Sequence, residues 1–250
     1  MQNFFVLFLV VLSLLSGCAN TQEKQTAQST QQSLQTTQSV QKIEPPILGN
    51  VITSCPFTIS TPDTYTLNSD IRSSDTCITF AVSGATLDCK DKTIHGAGTY
   101  TSSGIVINPG ITEVTIKNCV IKDFYNGIWF SQAANKNTIT NNKLLDNFQI
   151  GISMSKANEN IIKDNTLINN GNYAGFGFEI RNSGSNQFIN NIITGSETGF
   201  DVVFGSENNT FEGNKISSSK TDFYCGGSTN IDKGNTCRIT SEFCDWVRCI

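Results

Sequence analysis

A short asparagine-rich phrase recurs four times between Asn137 and Asn214, and its spacing constrains the fold more than any other feature of the chain. The phrase runs Asn-Thr-Ile-Thr-Asn-Asn at 137–142, Asn-Ile-Ile-Lys-Asp-Asn at 160–165, Asn-Gln-Phe-Ile-Asn-Asn at 186–191 and Asn-Thr-Phe-Glu-Gly-Asn at 209–214, with steps of 23, 26 and 23 residues. A second phrase, glycine followed by Ile or Phe, keeps the same rhythm at positions 104, 127, 151, 177 and 199. Two independent phrases with one period predict a repeat architecture.

The apolar residues that follow each glycine alternate with other residues. The alternating sets are Ile128 and Phe130, Ile152 and Met154, Phe178 and Ile180, and Phe200, Val202 and Phe204. A period of two is typical of β-strands, and these runs are short and bounded by Asn and Gly. One coil of three short strands and three turns uses about the observed number of residues. We therefore predict an all-β solenoid in which each strand pairs in parallel with its counterpart in the next coil, roughly 4.8 Å away.

The asparagine at the end of each phrase is expected at a tight turn. Its side chain tolerates left-handed backbone and can bond the neighbouring coil. The expected asparagine ladder consists of Asn118, Asn142, Asn165, Asn191 and Asn214.

These phrases, over roughly Thr53 to Phe223, resemble the right-handed parallel β-helix repeat of NosD-like periplasmic proteins and of the pectate-lyase-like superfamily. The resemblance implies a single-stranded, right-handed parallel β-helix. It implies no single function, because this scaffold carries lyases, hydrolases, epimerases and adhesins. The NosD resemblance also suggests copper, but one His and two Met supply few ligands, so we predict no metal and no other cofactor.

The chain divides into five predicted segments. Residues 1–18 are a signal peptide, because the apolar run 4–15 is too short to span a bilayer and ends in Leu15-Ser16-Gly17-Cys18, which looks like a bacterial lipobox. Cys18 is the predicted lipidation residue and membrane anchor. Residues 19–50 are a disordered Gln/Ser/Thr-rich tether. Residues 51–82 are an N-terminal cap, 83–221 the β-helix coils and 222–250 a Cys-rich C-terminal cap.

Eight further cysteines, an even number behind an export signal, predict four disulfides. They form one group at each end of the coils: Cys55, Cys77, Cys89 and Cys119, then Cys225, Cys237, Cys244 and Cys249. We expect pairing within each group, including Cys89 with Cys119 across adjacent coils. In the second group we expect Cys225 with Cys237 and Cys244 with Cys249. The alternative is a metal site, although the close Cys pairs of zinc ribbons are missing.

A candidate ligand-binding strip follows from the alternation. If Ile128, Ile152, Phe178 and Phe200 point inward, the neighbouring residues Trp129, Ser153, Glu179 and Asp201 point outward. Stacking places Glu179 beside Asp201, with Arg181 one step along and Trp129 on the order of 10 Å from Glu179. The strip predicted to bind a ligand is Trp129, Glu179, Arg181 and Asp201.

The chemistry of the strip suits a sugar. Trp129 would stack on a pyranose ring and Arg181 would hold a uronate carboxylate or stabilise developing charge. Glu179 and Asp201 would divide acid and base roles if the protein is an enzyme. In the alternative, Arg181 only neutralises the two carboxylates and Trp129 packs under a loop. The longer loop 169–176 is a candidate wall of the strip.

We expect a lipid-anchored periplasmic or cell-surface protein that binds carbohydrate or another surface polymer without catalysis. A polysaccharide lyase, hydrolase or epimerase that uses Glu179, Arg181 and Asp201 is one alternative, and a purely structural envelope protein is another. The Asp-Pro-His-Asp signature of the epimerases and the aspartate set of polygalacturonases do not occur. The net charge of −4 argues against a nucleic-acid partner. His95, the single histidine, lies in a Gly-rich turn and is expected to be a surface residue rather than a base.

Overall fold

The computed structural model describes residues 50–171, 175–203, 205–218, 220–226, 229–241 and 244–250. The predicted signal peptide, Cys18 and the tether up to residue 49 lie outside the described residues, as do Phe204 and the middle of the loop 169–176. No helix in the described ranges is long and apolar enough to cross a membrane.

Twenty-four short strands form three sheets, named A, B and C here. Sheet A contains, in spatial order, β1 (Asn50–Ile52), β3 (Thr64–Leu67), β6 (Thr86–Asp88), β9 (Thr115–Lys117), β12 (Thr138–Thr140), β15 (Ile161–Lys163), β18 (Gln187–Ile189), β21 (Thr210–Glu212) and β24 (Ile231–Lys233). Sheet B contains β2 (Phe57–Ile59), β5 (Ile78–Phe80), β8 (Ser103–Ile107), β11 (Asn126–Phe130), β14 (Ile150–Ser155), β17 (Phe176–Arg181), β20 (Thr198–Val202) and β23 (Thr221–Cys225). Sheet C contains β4 (Ile71–Ser73), β7 (Thr93–Gly96), β10 (Val120–Lys122), β13 (Lys143–Leu145), β16 (Thr166–Ile168), β19 (Ile192–Thr194) and β22 (Lys215–Ser217).

The chain visits the three sheets in turn, so that one coil contributes one strand to each. Every strand pair among the described residues is parallel, and partners lie one coil apart, as with Ile139 and Ile162 in sheet A. The predicted parallel β-helix is therefore confirmed, and it makes about seven turns.

The sheets extend further than the expected coil region of 83–221. Strands β1 to β5, within or next to the expected cap 51–82, already belong to the three sheets, and β24 lies inside the expected cap 222–250. Turns of irregular length near both ends obscure the period of the sequence repeat. The parallel strand pairing nevertheless continues there: Tyr65 is in register with Leu87, and Phe211 with Asp232.

The core is a column of inward-facing apolar side chains. Aromatic rings stack in two files at its C-terminal end. In the first file, Phe178, Phe200 and Phe223 have successive ring-centroid separations of 4.7 and 4.9 Å. In the second, Phe188, Phe211 and Trp246 are separated by 4.9 and 5.1 Å. Trp246 thus covers the ring of Phe211 at the end of its file.

The recurring glycine is explained by close approach between coils. A Cβ atom on Gly151 would lie 2.6 Å from the carbonyl oxygen of Gly177, a distance that no side chain tolerates. At the next repeat after Gly199 the position is taken by Asp222, which is fully buried. Its carboxylate accepts hydrogen bonds from the backbone N–H groups of Ser218 (2.7 Å) and Arg238 (2.6 Å). The sheet therefore continues past the last glycine.

Asparagine ladders bond the coils together through their buried side chains. One ladder runs through Asn142, Asn165, Asn191, Asn214 and Asn235, and a second through Asn137, Asn160, Asn186, Asn209 and Asn230. The expected membership of Asn118 is wrong. Asn118 has a φ of 55°, like Asn141, and its side chain donates to Asp88 instead. Cys119 takes the ladder position, where its backbone N–H donates to the Asn142 side chain at 2.9 Å.

Four disulfides close the two ends of the solenoid. Cys55–Cys77 and Cys89–Cys119 pair within the first group, and the predicted Cys89–Cys119 bridge is confirmed. The expected pairs Cys225–Cys237 and Cys244–Cys249 are wrong, because the structure pairs Cys225 with Cys244 and Cys237 with Cys249. The chain after β24 folds back so that Cys244 approaches the end of β23, with Cα atoms 5.1 Å apart. Four disulfides are consistent with an extracytoplasmic protein.

Candidate functional site

The predicted strip lies on the outer face of sheet B. Ile128, Ile152, Phe178 and Phe200 are fully buried in the core, so their neighbours along each strand point away from it. The register pairs Trp129 with Ser153, Ser153 with Glu179, and Glu179 with Asp201. The structure thus brings the four predicted residues together over successive coils, with Arg181 two positions beyond Glu179 on the same strand.

Glu179 is held in place on both sides. The Ser153 hydroxyl donates to Oε2 of Glu179 at 2.9 Å, and Nη2 of Arg181 lies 2.5 Å from Oε1. The hydrogen bond to Glu179 raises the pKa of Arg181. The side chain of Glu179 is nearly buried whereas that of Arg181 is half exposed, so the guanidinium both fixes Glu179 and presents N–H groups to solvent.

Asp201 differs from Glu179 although the two are neighbours. It is 4% exposed, and among the described residues its carboxylate accepts no hydrogen bond and forms no ion pair within 4.0 Å. Burial raises its pKa from 3.8 to about 6, and the negative charge of Glu179 acts in the same direction against the attraction of Arg181. Arg181 therefore neutralises Glu179 directly and Asp201 only in part. The pair combines a fixed carboxylate with one that binds a proton readily.

Aromatic side chains stand at both ends of this row. Trp129 is 43% exposed, and Tyr224, in register with Asp201, is 45% exposed. The row from Trp129 to Tyr224 covers four coil steps, roughly 19 Å. Sequence reasoning missed Tyr224 because Asp222 replaces the repeat glycine. The Phe-Tyr pair at 223–224, aligned on Phe200-Asp201, is the signal that identifies it. We call the row Trp129, Ser153, Glu179, Asp201 and Tyr224, together with Arg181, the sheet B strip.

His95 does not lie in this strip. It lies in the outer row of sheet C, where it contacts Arg72 and Asp123 and is only partly exposed. The sequence placed His95 in a Gly-rich turn, whereas the structure places it in strand β7, on the outer face and next to two polar side chains. Among the described residues, no group of three or more His, Cys, Asp or Glu side chains is arranged to hold a metal ion.

Three parallel sheets around one apolar column, with a polar and aromatic row on an outer face, define a parallel β-solenoid with a candidate ligand-binding face. Residues 59–216 match the family model described as the right handed beta helix region, and the chain belongs to this family. No curated protein matches the sequence.

Two solved structures share the fold. The periplasmic alginate epimerase AlgG has a TM-score of 0.54 and 15% identity, over 71% of this chain and 46% of its own. The enzymatically active domain of Bacteriophage CBA120 tailspike protein 2 has a TM-score of 0.59 and 11% identity, over 76% of this chain and 38% of its own. The chain thus spans less than half the length of each protein. Identities this low establish a common fold alone.

Proposed function

We propose that the protein binds a polysaccharide along the sheet B strip. The observation that carries this function is the row of polar groups bounded by two exposed aromatic rings, Trp129 and Tyr224. Sugar rings have apolar faces that stack on aromatic side chains, and their hydroxyl groups bond to carboxylates and guanidinium groups. The strip supplies both contacts over a length of several sugar units.

The arrangement of charge favours a ligand with some acidic groups. Arg181 keeps N–H groups free of Glu179 and half exposed, and these can donate to a uronate carboxylate. The epimerase AlgG, which shares the fold, is named for alginate. Alginate is therefore the first polymer to test. As part of the same proposal, a lipid on Cys18 and the tether at 19–50 hold the β-helix at a membrane surface outside the cytoplasm.

Binding to immobilised alginate, pectin and neutral glucans tests the proposal. We expect the protein to bind at least one polymer and Trp129→Ala to weaken that binding about tenfold, because the aromatic platform is lost. Ile192→Ala is the matched control, since Ile192 is similarly exposed but lies on sheet C, and it should bind like the wild type. Failure to bind any of a broad set of polymers would remove this function.

Catalysis is a second candidate, which the unequal carboxylates favour. A protonated Asp201 beside Glu179, which Arg181 and Ser153 hold in place, has the division of roles that acid–base cleavage of a sugar chain requires. The expected products are shorter or unsaturated oligosaccharides, formed faster below pH 6 than above it and not formed by Asp201→Asn. Intact polymers after prolonged incubation would leave binding as the function of the strip.

A further inference from the structure

A second cluster of polar and aromatic side chains lies on the outer face of sheet C and the turn that follows it. Arg72, His95 and Lys122 occupy neighbouring register positions on β4, β7 and β10. Beside them is a cavity of about 420 Å³, lined by Arg72, His95, the turn 96–98, Asp123 and Phe148. None of these residues belongs to the sheet B strip.

A chain of polar contacts fixes the polar side of this cavity. Nη1 of Arg72 donates to Nδ1 of His95. Arginine has no acceptor, so Nδ1 of His95 is the acceptor in this contact. Nε2 in turn is 2.7 Å from Oδ2 of Asp123, which Lys122 also approaches at 3.4 Å. Asp123 therefore orients His95, and His95 orients Arg72.

The positive and negative side chains that meet at the cavity do not all pair with one another. Asp123 is shared between His95 and Lys122. Arg72, in contrast, forms no ion pair with any carboxylate in the described part of the chain. Its guanidinium has further N–H groups beyond the one that contacts His95, in the planar geometry that suits a carboxylate. The cavity thus presents an oriented positive group that has no counter-ion among the described residues.

Aromatic rings form the other side. Phe148 lines the cavity, and Tyr100 lies next to it with a ring-centroid separation of 6.2 Å. Tyr100 is 78% exposed and Phe148 39%. The turn that carries Tyr100 is fixed: the Gly98 N–H donates to the Asp123 carbonyl at 3.0 Å, and the Thr99 hydroxyl donates to the Ser74 carbonyl at 2.9 Å. An exposed ring on a fixed turn, next to a second exposed ring and hydrogen-bonding groups, suits the apolar face of a sugar.

We propose that this cavity, the Arg72 cavity, binds one acidic sugar unit. The sugar carboxylate pairs with Arg72, the ring packs against Tyr100 and Phe148, and a hydroxyl donates to Asp123. Arg72 selects the charge and the aromatic rings select the ring shape. His95 is a positioning residue that holds the guanidinium. The site uses its own residues and stands whether or not the sheet B strip binds a polymer.

Titration calorimetry with trigalacturonate, trimannuronate and a glucuronate-containing trisaccharide tests the proposal, with maltotriose as the neutral probe and inorganic phosphate as the anion without a sugar ring. We expect at least one uronate trimer to bind, and maltotriose and phosphate to bind at least about tenfold more weakly. Arg72→Gln should weaken uronate binding about tenfold, and Tyr100→Ala by about threefold to tenfold.

Two controls separate this site from the strip. Ile168→Ala changes an exposed side chain in the same outer row of sheet C and should leave uronate binding unchanged. Trp129→Ala alters the strip, and binding that survives it but is lost in Arg72→Gln assigns the ligand to the Arg72 cavity. Uronate binding that is insensitive to Arg72→Gln, equal binding of maltotriose or phosphate, or no binding of any uronate trimer would overturn the proposal. Uronate binding that is lost in Trp129→Ala but not in Arg72→Gln would also overturn the proposal, and it would indicate that the ligand binds to the sheet B strip instead.

Discussion

The pKa of Asp201 is determined by the residues that surround it. Its position on an outward-facing row suggests a solvated carboxylate, yet neighbouring side chains leave it 4% exposed and next to a second acid. Its pKa of about 6 follows from that burial first and from Glu179 second. A group of this kind costs folding free energy when it ionises, and proteins retain such groups most often at functional sites.

The raised pKa of Asp201 determines the direction in which folding stability changes with pH. Well below pH 3.8 the carboxyl of Asp201 is protonated in the folded and unfolded states, so it imposes no cost. Between pH 4 and 6 the unfolded chain loses the proton while the folded protein keeps it, so stability falls as the pH rises through this window and stays lower above it.

Asp201→Asn should therefore stabilise the protein more at pH 7.5 than at pH 4.5, with a difference on the order of 2 kcal/mol. Urea unfolding of both proteins at the two pH values measures it. Glu212→Gln, at an exposed carboxylate of sheet A, serves as the control and should show a small effect at both. An equal effect of Asp201→Asn at the two pH values would contradict the assigned environment.

At the residue scale, the sequence predicted the members of the sheet B strip other than Tyr224, but not the contacts and burial of their side chains. Alternation placed Glu179 beside Asp201 and Trp129 on the same face. It could not show that Arg181 contacts Glu179 and that Asp201 has no ion pair within the described part of the chain, because these contacts depend on rotamers and on burial. The contacts of His95 were missed for a related reason: Arg72 and Asp123 approach it only through coil register.

The asparagine ladder that contains Asn165 joins successive coils through buried hydrogen bonds. Asn165 accepts from the backbone and side chain of Asn142 at 2.9 and 3.0 Å, and it donates to the Ile139 carbonyl at 3.0 Å and to Asn191 at 3.1 Å. All of these groups are buried, so removal of one rung leaves donors and acceptors without partners on both sides.

Asn165→Ala should lower the free energy of unfolding by about 3–5 kcal/mol, because several buried polar groups lose their partners at once. Chemical denaturation measures the change. Lys143→Ala, at an exposed position in the preceding coil, is the matched control and should cost less than about 0.5 kcal/mol. Similar losses in the two variants would mean that the ladder contributes little.

At the element scale, the repeat phrase predicted strands and ladders where the period is regular. Asn118 was assigned to the ladder position that Cys119 occupies, which is an error of one residue. The sequence cannot resolve such a shift when two asparagines or an Asn-Cys pair lie in the same turn. The second disulfide group failed for a combinatorial reason: four cysteines allow three pairings, and only the path of the chain after Ile231 selects among them.

The whole molecule is a stack in which each coil contacts only its neighbours. Stability in such an architecture is a sum of coil and interface contributions, so the ends open first. Trp246 covers Phe211 at the C-terminal end and packs edge-to-face against Phe223, with ring centroids 5.7 Å apart. The end coils therefore depend on this side chain together with the disulfides Cys225–Cys244 and Cys237–Cys249.

Trp246→Ala should destabilise the protein by about 3 kcal/mol. Amide hydrogen exchange should speed up in β20 to β24 while β6 to β12 keep their protection. Trp129→Ala removes the same side chain from an exposed position and should leave the exchange pattern unchanged. Uniform acceleration along the whole chain in Trp246→Ala would show that the stack unfolds as a single unit instead.

At this scale the sequence predicted the architecture because the period is encoded locally and repeated. The limits of the stack were not predicted. The strands before residue 83 and after residue 221 pair through the same backbone hydrogen bonds but do not repeat the asparagine-rich phrase. Backbone hydrogen bonds do not require particular side chains, so the sequence does not indicate them.

The ladder also has a direction. Every rung donates from its side-chain amide to the carbonyl oxygen of the rung toward the C-terminus, from Asn142 to Asn235. Amide dipoles aligned in this way add along the axis of the solenoid, as peptide dipoles do in a helix. The last amide, on Asn235, donates to the carboxylate of Asp232, so a negative charge sits at the positive pole of the column. The ladder is thus electrically polar from Asn142 to Asn235, and a cation in place of Asp232 would oppose the field of these coils.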